Sequence, residues 1–449
     1  MRFTPEITYE KVKKVKGRGE IYKKIDTIII DEVSMVRADL LDCADKFMCM
    51  NGGKDSNKPF GGIQMVFIGD LYQLPPVVTS REKELFSNKY TTPYFFSAHV
   101  FEKFQMEFVE LEKIYRQKEE LFIGLLNEIR NNSVSEKSLK LLNQRVDAKL
   151  ENKVGINPIY LTPFNDKAFE INAEHLAKLK TNINVYLAKS EGEFNKNSYP
   201  ADEEFQVAAG AQVIFLNNDS TGYWVNGTIG KVTGFIKSDE DTPEKIIVKL
   251  QDGLEVEVLP HEWDLFHYKY NSEKMRIDTE VVGKFIQYPL KLAWAITIHK
   301  SQGKTFQKVI IDMGKGAFAC GQTYVALSRC TSFEGLSLVR PIKPSDIRAD
   351  WKIMQFLTKY QYKISEKEKP FEDKVKLIED VIKKNGYLEI VYLKARDEKS
   401  KRVIKPIRVG EEEYKDIPFP GLYAFCTKRN EERMFRVDRI LEMKKIEFK

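Results

Sequence analysis

The chain has 449 residues, of which 42% are apolar and 12% aromatic, so it can build several buried cores and is too apolar to be disordered throughout. No run of about 18 apolar residues occurs, so the sequence predicts no membrane span. The first six residues contain no apolar stretch, and we expect no secretory signal. Lysine and arginine total 72 against 66 acidic residues, and the resulting charge of +6 gives a weak preference for polyanions.

The five cysteines are spaced irregularly and form no Cys-x-x-Cys pair. This pattern is typical of buried thiols in a reducing compartment, so we expect a cytoplasmic protein. Short apolar runs at 25–30 and 63–68 predict buried strands, and residues 119–130 carry helical spacing. Strands that alternate with helices predict a parallel α/β sheet.

A second α/β block begins with a predicted strand at 158–162 and a helix from about Asn165, and it resumes with strands at 292–298 and 309–312. Between these parts, residues 205–288 combine short strands, Gly turns and aromatic residues. This pattern predicts a small inserted β-barrel. Residues 364–385 are rich in Lys and Glu and predict a linker helix. From Tyr387 the pattern is again typical of β structure, with a hairpin loop at 394–397.

Residues 28–32 read Ile-Ile-Ile-Asp-Glu, an apolar strand that ends in two carboxylates. Ligand sites of α/β sheets lie at the carboxyl ends of the strands. Asp31 could hold the water shell of Mg²⁺, and Glu32 could polarise an attacking water. The same residues also fit a strand that simply ends in a polar loop, and this motif alone does not separate the two interpretations.

Residues 65–76 form a second apolar strand that ends in Gly-Asp and continues as Leu-Tyr-Gln-Leu-Pro-Pro. Gln73 is a neutral amide where a γ-phosphate or an attacking water could be sensed. The two prolines fix the loop that carries it. The spacing from Asp31 to Gln73 suits neighbouring strands of one sheet.

These residues resemble the Walker B and third motifs of superfamily 1 DNA helicases of the Pif/RecD-like branch. Residues 58–62, Lys-Pro-Phe-Gly-Gly, match the same branch. Tyr-Arg-Gln at 115–117 resembles the fourth motif, residues 294–303 the fifth and residues 324–329 the sixth. Five motifs in this order over residues 25–335 are far more specific than any one of them.

The resemblance implies an α/β fold with two RecA-like lobes, the first of them incomplete, and ATP bound between them. It implies that Asp31 holds Mg²⁺, that Glu32 acts on water and that Gln73 senses the γ-phosphate. Asp70 and Gly303 are expected to contact the nucleotide. Arg116 and Arg329 would reach the transferring phosphoryl group, because a planar guanidinium can bridge two of its oxygens. For a single arginine the alternative is an ordinary surface salt bridge.

The fifth motif is expected to contact the nucleic-acid strand, because hydroxyl, amide and basic groups suit backbone phosphates. These residues are Thr297, His299, Lys300, Ser301 and Gln302. Thr162, Asn165 and Asn172 match a pattern of the same branch and are expected to do the same. The alternatives are a core histidine at His299, and a helix cap with surface amides for the second set.

The segment at 210–232 resembles the SH3-like insert of the same helicases, which grips the single strand. Its aromatic residues Tyr223, Trp224 and Tyr268 would stack on bases or, alternatively, form the core of the barrel.

The C-terminal residues resemble a WYL domain through the segments 388–392, 402–406 and 433–440. Pro-Gly-Leu at 420–422 stands where the family has Trp-Tyr-Leu. In one continuous strand, Arg433 and Arg439 would share a face. They would bind single-stranded nucleic acid or another anionic ligand, or alternatively form a solvated basic surface.

The expected domains are the remainder of the first lobe (1–135), the second lobe (136–345) with an SH3-like insert at about 205–288, a helical linker (346–385) and the WYL domain (386–449).

A nucleoside-triphosphate motor also needs a Gly-rich phosphate loop. Gly303, Lys304 and Thr305 resemble its end, but Ile298 stands where the first glycine is required. We therefore expect an N-terminally truncated helicase, from a late start codon, a split gene or an incomplete gene model, that hydrolyses ATP poorly or not at all.

The resulting functional hypothesis is an ATP-dependent 5′–3′ DNA helicase of replication, recombination or repair. We expect it to be monomeric, to use ATP and Mg²⁺, and to bind single-stranded and forked DNA. Two alternatives remain: a relative that binds single strands without hydrolysing ATP, and a gene fragment without a role.

Overall fold

The computed structural model describes residues 9, 12–15, 19–52, 54–79, 82–104, 106–111, 113–150, 158–194, 196–237, 243–271, 276–393, 399–414 and 417–446. The chain divides into two compact units. The first contains Met1–Met106, Leu111–Ile129 and Ser135–Arg348, and the second contains Glu107–Glu110, Arg130–Val134 and Ala349–Lys449. Among the described helices, none combines the length and the apolar character needed to cross a bilayer.

Along the chain, the first unit begins with a two-stranded parallel sheet and four helices. Their bounds are β1 Thr27–Ile30, α1 Ala38–Asn51, β2 Gln64–Phe67, α2 Lys83–Ser87, α3 Glu120–Arg130 and α4 Glu136–Asn143. Phe67 packs on Phe95 and Phe104, which covers part of the sheet. Ile29 is nevertheless 64% exposed and Ile68 49% exposed. The predicted strands are therefore confirmed, but they are only partly buried, because the described sheet has only these two strands.

A four-stranded parallel sheet forms the second α/β part of this unit, in the order β14-β3-β15-β16. Its elements are β3 Ile159–Thr162, α5 Asn165–Ala177, β14 Ala295–Thr297, β15 Val309–Ile311, α6 Gln322–Ser328 and β16 Leu336–Leu338. Its short strands are almost wholly buried, as expected for a parallel sheet covered on both faces. The predicted strands at 158–162 and 309–312, the helix from Asn165 and the parallel pairing are confirmed.

An antiparallel β region is inserted between α5 and β14. Its strands are β4 Ile183–Leu187, β5 Lys189–Gly192, β6 Glu204–Ala208, β7 Gln212–Phe215, β8 Ile229–Ile236, β9 Lys245–Leu250, β10 Glu255–Val258, β11 His261–Asn271, β12 Arg276–Gln287 and β13 Leu290–Leu292. Five of them form one sheet in the order β10-β9-β8-β7-β13, β11 and β12 form a long hairpin that pairs with β5, and β4 pairs with β6. The SH3-like class of this insert stays a prediction.

The segment 292–298, where the sequence predicts that the α/β pattern resumes, is divided between two sheets. Leu290–Leu292 pairs with β7 in the insert, and Ala295–Thr297 pairs with β3 in the parallel sheet. Ala293 lies between them and exchanges hydrogen bonds with Gln212 through its N–H and its carbonyl, at 2.9 and 3.0 Å. A contact with a residue 81 positions away therefore sets the boundary.

The second unit is an antiparallel sheet with two helices. Its elements are α7 Trp351–Glu368, α8 Phe371–Lys383, β17 Tyr387–Leu393, β18 Lys399–Tyr414, β19 Ile417–Cys426, β20 Glu431–Arg436 and β21 Ile440–Ile446. The strand order is β20-β19-β18-β17-β21, and Ile378 and Val381 of α8 pack into the core of the sheet. The hairpin loop predicted at 394–397 lies outside the described residues. The domain boundaries given above stay predictions.

The expectation that Arg433 and Arg439 share one strand face is wrong. The strand β20 ends at Arg436, and Val437–Arg439 form a 3-10 turn, so the alternation of a strand does not extend to Arg439. Asp438 stabilises this turn by accepting two hydrogen bonds from the guanidinium of Arg436, at 3.0 and 2.7 Å.

Candidate functional site

Two carboxylates follow β1 at the edge of its sheet. Asp31 is exposed, and its Oδ1 accepts a hydrogen bond from the Glu32 N–H at 2.8 Å. Glu32 has φ 50 and ψ 44, a left-handed conformation that is costly for a non-glycine residue and recurs at functional sites. Burial raises the pKa of the Glu32 carboxyl, and the nearby Asp31 adds to this effect, whereas Arg329 opposes it.

The loop after β2 is held against α6 of the parallel sheet. The Asp70 carboxylate accepts hydrogen bonds from the Tyr72 N–H at 3.1 Å, from Gln73 Nε2 at 3.4 Å and from the Tyr324 hydroxyl at 3.0 Å. Gly321, the residue before α6, has φ +75 and lies so close that a Cβ would overlap the carbonyl oxygens of Tyr72 and Gln73. The contacts of α6 therefore determine where Gln73 lies.

Arg329 follows α6 and is only 1% exposed. Its guanidinium donates to the Val325 carbonyl at 3.1 Å, to the Lys304 carbonyl at 3.3 Å and to Ser328 Oγ at 3.0 Å. No carboxylate in the described part of the chain accepts a hydrogen bond from it. Burial lowers the pKa of the Arg329 guanidinium to about 10. A buried cation with only neutral acceptors is unusual and suits a site that receives an anion.

The fourth motif meets the same end of α6. Arg116 Nη1 donates to the Ser328 carbonyl at 3.4 Å, and Gln117 Nε2 donates to the carbonyls of Ser328 and Cys330 at 3.0 and 2.9 Å. Arg116 lies close enough to Arg329 to lower the pKa of its guanidinium further, while Glu32 and Asp70 act in the opposite sense. Side chains from distant parts of the sequence, Glu32, Asp70, Arg116 and Arg329, therefore converge at one place, which we call the junction.

Sequence reasoning singled out neither Tyr324 nor Gln117 as a functional residue. Gln117 lies in the fourth motif beside Arg116, and Tyr324 lies in the sixth motif with Arg329. Their place in these motifs is the feature of the sequence that could have indicated a functional role.

The loop after β14 is the predicted nucleic-acid contact, and its residues differ in access. Lys300 and Gly303 are exposed, whereas Thr297 and Ser301 are buried. Ser301 Oγ donates to the Ile298 carbonyl at 2.7 Å, and Thr297 Oγ1 accepts from the Lys300 N–H at 3.4 Å. The contacts of these two hydroxyls with phosphate therefore stay predictions.

Two other side chains of the loop face neighbouring structure. His299 stacks on Phe318 with the ring centroids 6.3 Å apart, and burial lowers the pKa of its imidazole. Gln302 Nε2 donates to Gln73 Oε1 at 3.4 Å, while the buried Gln302 Oε1 has no partner within the described residues. The predicted nucleic-acid loop thus touches the residue predicted to sense the γ-phosphate.

The second predicted set of contacts is dispersed. Thr162 is fully buried, and its Oγ1 has no hydrogen-bond partner among the described residues. Asn165 is exposed at the start of α5. Asn172 bonds both the N–H and the carbonyl of Ala295, at 2.9 and 2.8 Å, so it fastens α5 to β14. This role of Asn172 is neither a helix cap nor a surface amide.

The aromatic residues of the insert are not equivalent. Trp224 packs on Phe215, with centroids 4.6 Å apart, and its Nε1 donates to Asn217. Tyr223 is 60% exposed. The side chain of Tyr268 lies outside the described residues. Trp224 is therefore partly buried against the core of the insert, which favours the alternative interpretation.

In the second unit, Arg433 and Arg439 are both half-buried. Arg433 pairs with Glu431 at 3.3 Å. Arg439 lies near the Tyr362 hydroxyl and acts to lower its pKa, although burial raises that pKa overall.

Two parallel α/β sheets, with carboxylates, an amide and arginines converging at one junction, are typical of nucleotide-driven helicases. A family model described as PIF1-like helicase matches residues 3–140, and a WYL domain model matches residues 373–445. The ATP-dependent DNA helicase Pif1 of Bdellovibrio bacteriovorus is 30% identical over 361 residues, which are 79% of this chain and 75% of the relative. This chain belongs to the Pif1-like helicase family.

Solved structures agree with this assignment. The structure of Bacteroides sp Pif1 in complex with ADP-AlF4 is 36% identical, covers 80% of this chain and 81% of its own, and gives a TM-score of 0.69. A structure of Bacteroides Pif1 bound to ssDNA is also 36% identical, covers 81% and 82%, and gives a TM-score of 0.60. The predicted family, its mixed α/β fold and the C-terminal WYL domain are thereby confirmed.

Proposed function

We propose that this chain carries the hydrolysis and strand-contacting machinery of an ATP-dependent 5′–3′ DNA helicase that acts in replication, recombination or repair. The observation that supports this most strongly is the Arg329 guanidinium, which is buried beside Glu32, Asp70 and Arg116 and has only neutral hydrogen-bond acceptors. A triphosphate would supply the anionic hydrogen-bond acceptors that this guanidinium lacks. Gln73 is connected to the junction through Asp70.

The residues at the end of β1 fit a magnesium ion bound together with a triphosphate. One oxygen of Asp31 accepts the Glu32 N–H, which leaves the second oxygen of an exposed carboxylate for the metal. Mg²⁺ commonly takes one or two protein carboxylates and completes its shell with water and phosphate oxygens. When bound, it would neutralise part of the phosphate charge.

Each protein group has a separate task in this mechanism. The raised pKa of Glu32 makes its carboxylate a better proton acceptor. Gln73 would orient water or sense the terminal phosphate. Arg329 and Arg116 would stabilise the charge that spreads over the equatorial oxygens of the transferring group.

We propose that single-stranded DNA runs past the loop after β14, with Lys300, His299 and Gln302 on its phosphates and Asn165 nearby. The ssDNA complex of the Bacteroides relative supports a strand-binding role. Duplex and forked DNA would be further partners, and the protein would act as a monomer. The irregular spacing of the five cysteines, with no Cys-x-x-Cys pair, supports a cytoplasmic location. An anionic ligand at Arg433 and Arg439 stays a proposal as well.

Gly-x-x-x-x-Gly-Lys followed by Ser or Thr does not occur in these 449 residues. We therefore propose that this polypeptide by itself turns over ATP weakly or not at all, because that motif supplies the backbone amides that cradle the phosphates. The same observation favours the second candidate function, a protein that holds single strands without hydrolysis.

Purified 449-residue protein should be tested for oligo(dT) binding, for DNA-stimulated ATP hydrolysis, and for displacement of strands from duplexes with either a 5′ or a 3′ tail. We expect oligo(dT) binding with ATP turnover near background. Hydrolysis well above background would contradict the proposed weakness. A protein that binds no single strand would contradict both candidate functions, and unwinding confined to 3′-tailed duplexes would contradict the proposed polarity.

A further inference from the structure

Lys304 touches two parts of the first unit that are far apart in sequence. Its ammonium donates to Asn226 Oδ1 at 2.8 Å, in the turn between β7 and β8 of the insert. Its backbone carbonyl accepts the hydrogen bond from Arg329 Nη1 at 3.3 Å. One residue therefore connects the inserted β region to the buried guanidinium.

The turn at Asn226 and Gly227 is firmly attached to the insert. Asn226 Nδ2 donates to the Leu216 carbonyl at 3.1 Å, and the Gly227 N–H donates to the Phe215 carbonyl at 2.9 Å. Gly227 has φ +99, and a Cβ on it would lie 3.3 Å from Lys304 Nζ and 3.4 Å from Cγ. The turn thus packs along the lysine side chain, and a larger residue at Gly227 would push it away.

The other end of the connection surrounds Arg329. The Lys304 N–H donates to the Ser301 carbonyl at 3.0 Å, and the Phe306 N–H donates to the Arg329 carbonyl at 2.9 Å. The Thr331 N–H in turn donates to the Phe306 carbonyl at 3.1 Å. The segment from Lys304 to Phe306 is therefore bonded to both the side chain and the main chain of Arg329.

The charge of Lys304 is not used in an ion pair. Its side chain is half-buried, and within the described residues its ammonium is bonded to a neutral amide and to no carboxylate. An Asp at position 226 would form a salt bridge with Lys304, whereas Asn226 offers a neutral acceptor. A neutral acceptor holds the lysine more weakly, which allows the turn and the loop to separate when the insert moves.

We propose that Lys304 is a positioning residue that couples the insert to Arg329. Displacement of the Asn226 turn moves the Lys304 main chain and so moves the carbonyl that holds the guanidinium. This inference rests on the proposed function in one respect, because single-stranded DNA is the ligand expected to displace the insert. It assigns to Lys304 no contact with nucleotide or DNA.

The coupling can be tested without DNA by backbone hydrogen exchange. In the full chain, Asn226→Ala and Lys304→Met should each speed exchange of the Phe306 and Thr331 amides by roughly three- to tenfold, because one supporting hydrogen bond is lost. The double variant should exchange no faster than Lys304→Met alone. In Lys304→Arg, the exchange rates of these two amides should be close to those of wild type. Lys249→Met, at an exposed lysine of β9, should not change them.

The coupling would be overturned if Asn226→Ala left the exchange of the Phe306 and Thr331 amides unchanged. It would also be overturned if the effects of Asn226→Ala and Lys304→Met were additive in the double variant. In a second arm, oligo(dT) should alter exchange at Phe306 in wild type but not in Lys304→Met, at equal oligo(dT) affinity. Equal responses in both proteins would also overturn it. Failure of wild type to bind oligo(dT) would instead contradict the proposed function, while the DNA-free comparison would still decide the role of Lys304.

Discussion

The hydroxyl of Tyr324 donates a hydrogen bond to the carboxylate of Asp70 across 3.0 Å and 254 positions of sequence. Tyr324 lies on α6, which ends beside Arg329, and Asp70 begins the loop that carries Gln73. This bond therefore helps to set the distance between Gln73, which is predicted to sense the terminal phosphate, and Arg329, which is predicted to stabilise the charge of the transferring group.

Removing that hydroxyl should weaken the attachment between α6 and the loop. Tyr324→Phe and Asp70→Asn should each lower the free energy of unfolding of the first unit by about 1 kcal/mol. The double variant should lose less than the sum, because both remove the same bond. Urea unfolding followed by fluorescence measures this, with Tyr115→Phe, at a 76% exposed tyrosine, as the control. Strictly additive losses would show that the bond does not contribute.

Arg329 should contribute little to stability in the absence of a ligand. Its charge is fully buried and meets only carbonyl and hydroxyl oxygens, so Arg329→Met should change the unfolding free energy by less than about 1 kcal/mol or should increase it. Phe122→Ala, at another fully buried side chain, should cost about 3–5 kcal/mol. A loss at Arg329 as large as that at Phe122 would mean that the guanidinium is a structural core residue.

Glu32 should make stability depend on pH. Burial raises its folded pKa above the ordinary value of 4.5, so the unfolded chain gives up this proton more readily than the folded one. The stabilising contribution of this carboxyl is present below pH 4.5 and is lost as the pH rises through the folded pKa. Glu32→Gln should therefore be more stable than wild type at pH 7, by up to about 1 kcal/mol, and equal to it at low pH.

Thermal midpoints of wild type and Glu32→Gln across this pH range measure the effect. Glu255→Gln, at an exposed carboxylate, is the matched control. A difference between Glu32→Gln and wild type that stayed constant with pH would contradict the assignment.

Lys300 should contact a DNA phosphate. It is exposed in the loop after β14, so Lys300→Ala should weaken oligo(dT) binding at every sequence and reduce the slope of log affinity against log salt by about 0.7. Fluorescence anisotropy over a range of salt concentrations measures both quantities. Lys249→Ala should leave the slope unchanged, and an equal slope in Lys300→Ala would remove this lysine from the DNA path.

The two neighbouring aromatic residues of the insert should respond differently to truncation. Trp224→Ala should lower stability by about 1.5–3 kcal/mol, because its partly buried ring packs on Phe215 of the core. Tyr223→Ala should leave oligo(dT) affinity nearly unchanged, because the groove beside Tyr223 is lined by the carboxylates of Asp219, Glu255 and Glu257, which repel phosphate. A loss of about 1–3 kcal/mol of binding energy in Tyr223→Ala would instead indicate stacking on a base.

The sequence predicted the elements whose cause is local. Apolar runs that end in Asp31 or Asp70 predicted β1 and β2, and helical spacing predicted α3. The burial of β1 does not follow from its own residues, because it depends on which other strands cover its faces. The boundary at Ala293 depends on a hydrogen-bonded partner 81 residues away, which leaves no periodic signal in the chain.

The site divides in the same way. The order of the motifs indicated which side chains would take part in nucleotide hydrolysis. The structure brings three of them, Glu32, Arg116 and Arg329, together. The supporting bonds of Tyr324 and Lys304 follow from the tertiary arrangement, since a hydroxyl or an ammonium at those positions would fit a solvent-facing residue equally well. Residue type predicted the reactive groups, and only packing identified the residues that hold them.

A shared triphosphate site is tested most directly by the thermal unfolding midpoint of the purified chain with and without millimolar MgATP, compared between wild type and Arg329→Met. If Glu32, Gln73, Arg116 and Arg329 receive one nucleotide, MgATP raises the midpoint of wild type and leaves that of Arg329→Met unchanged. The same midpoint with and without MgATP in wild type, or equal rises in both proteins, would contradict a common site.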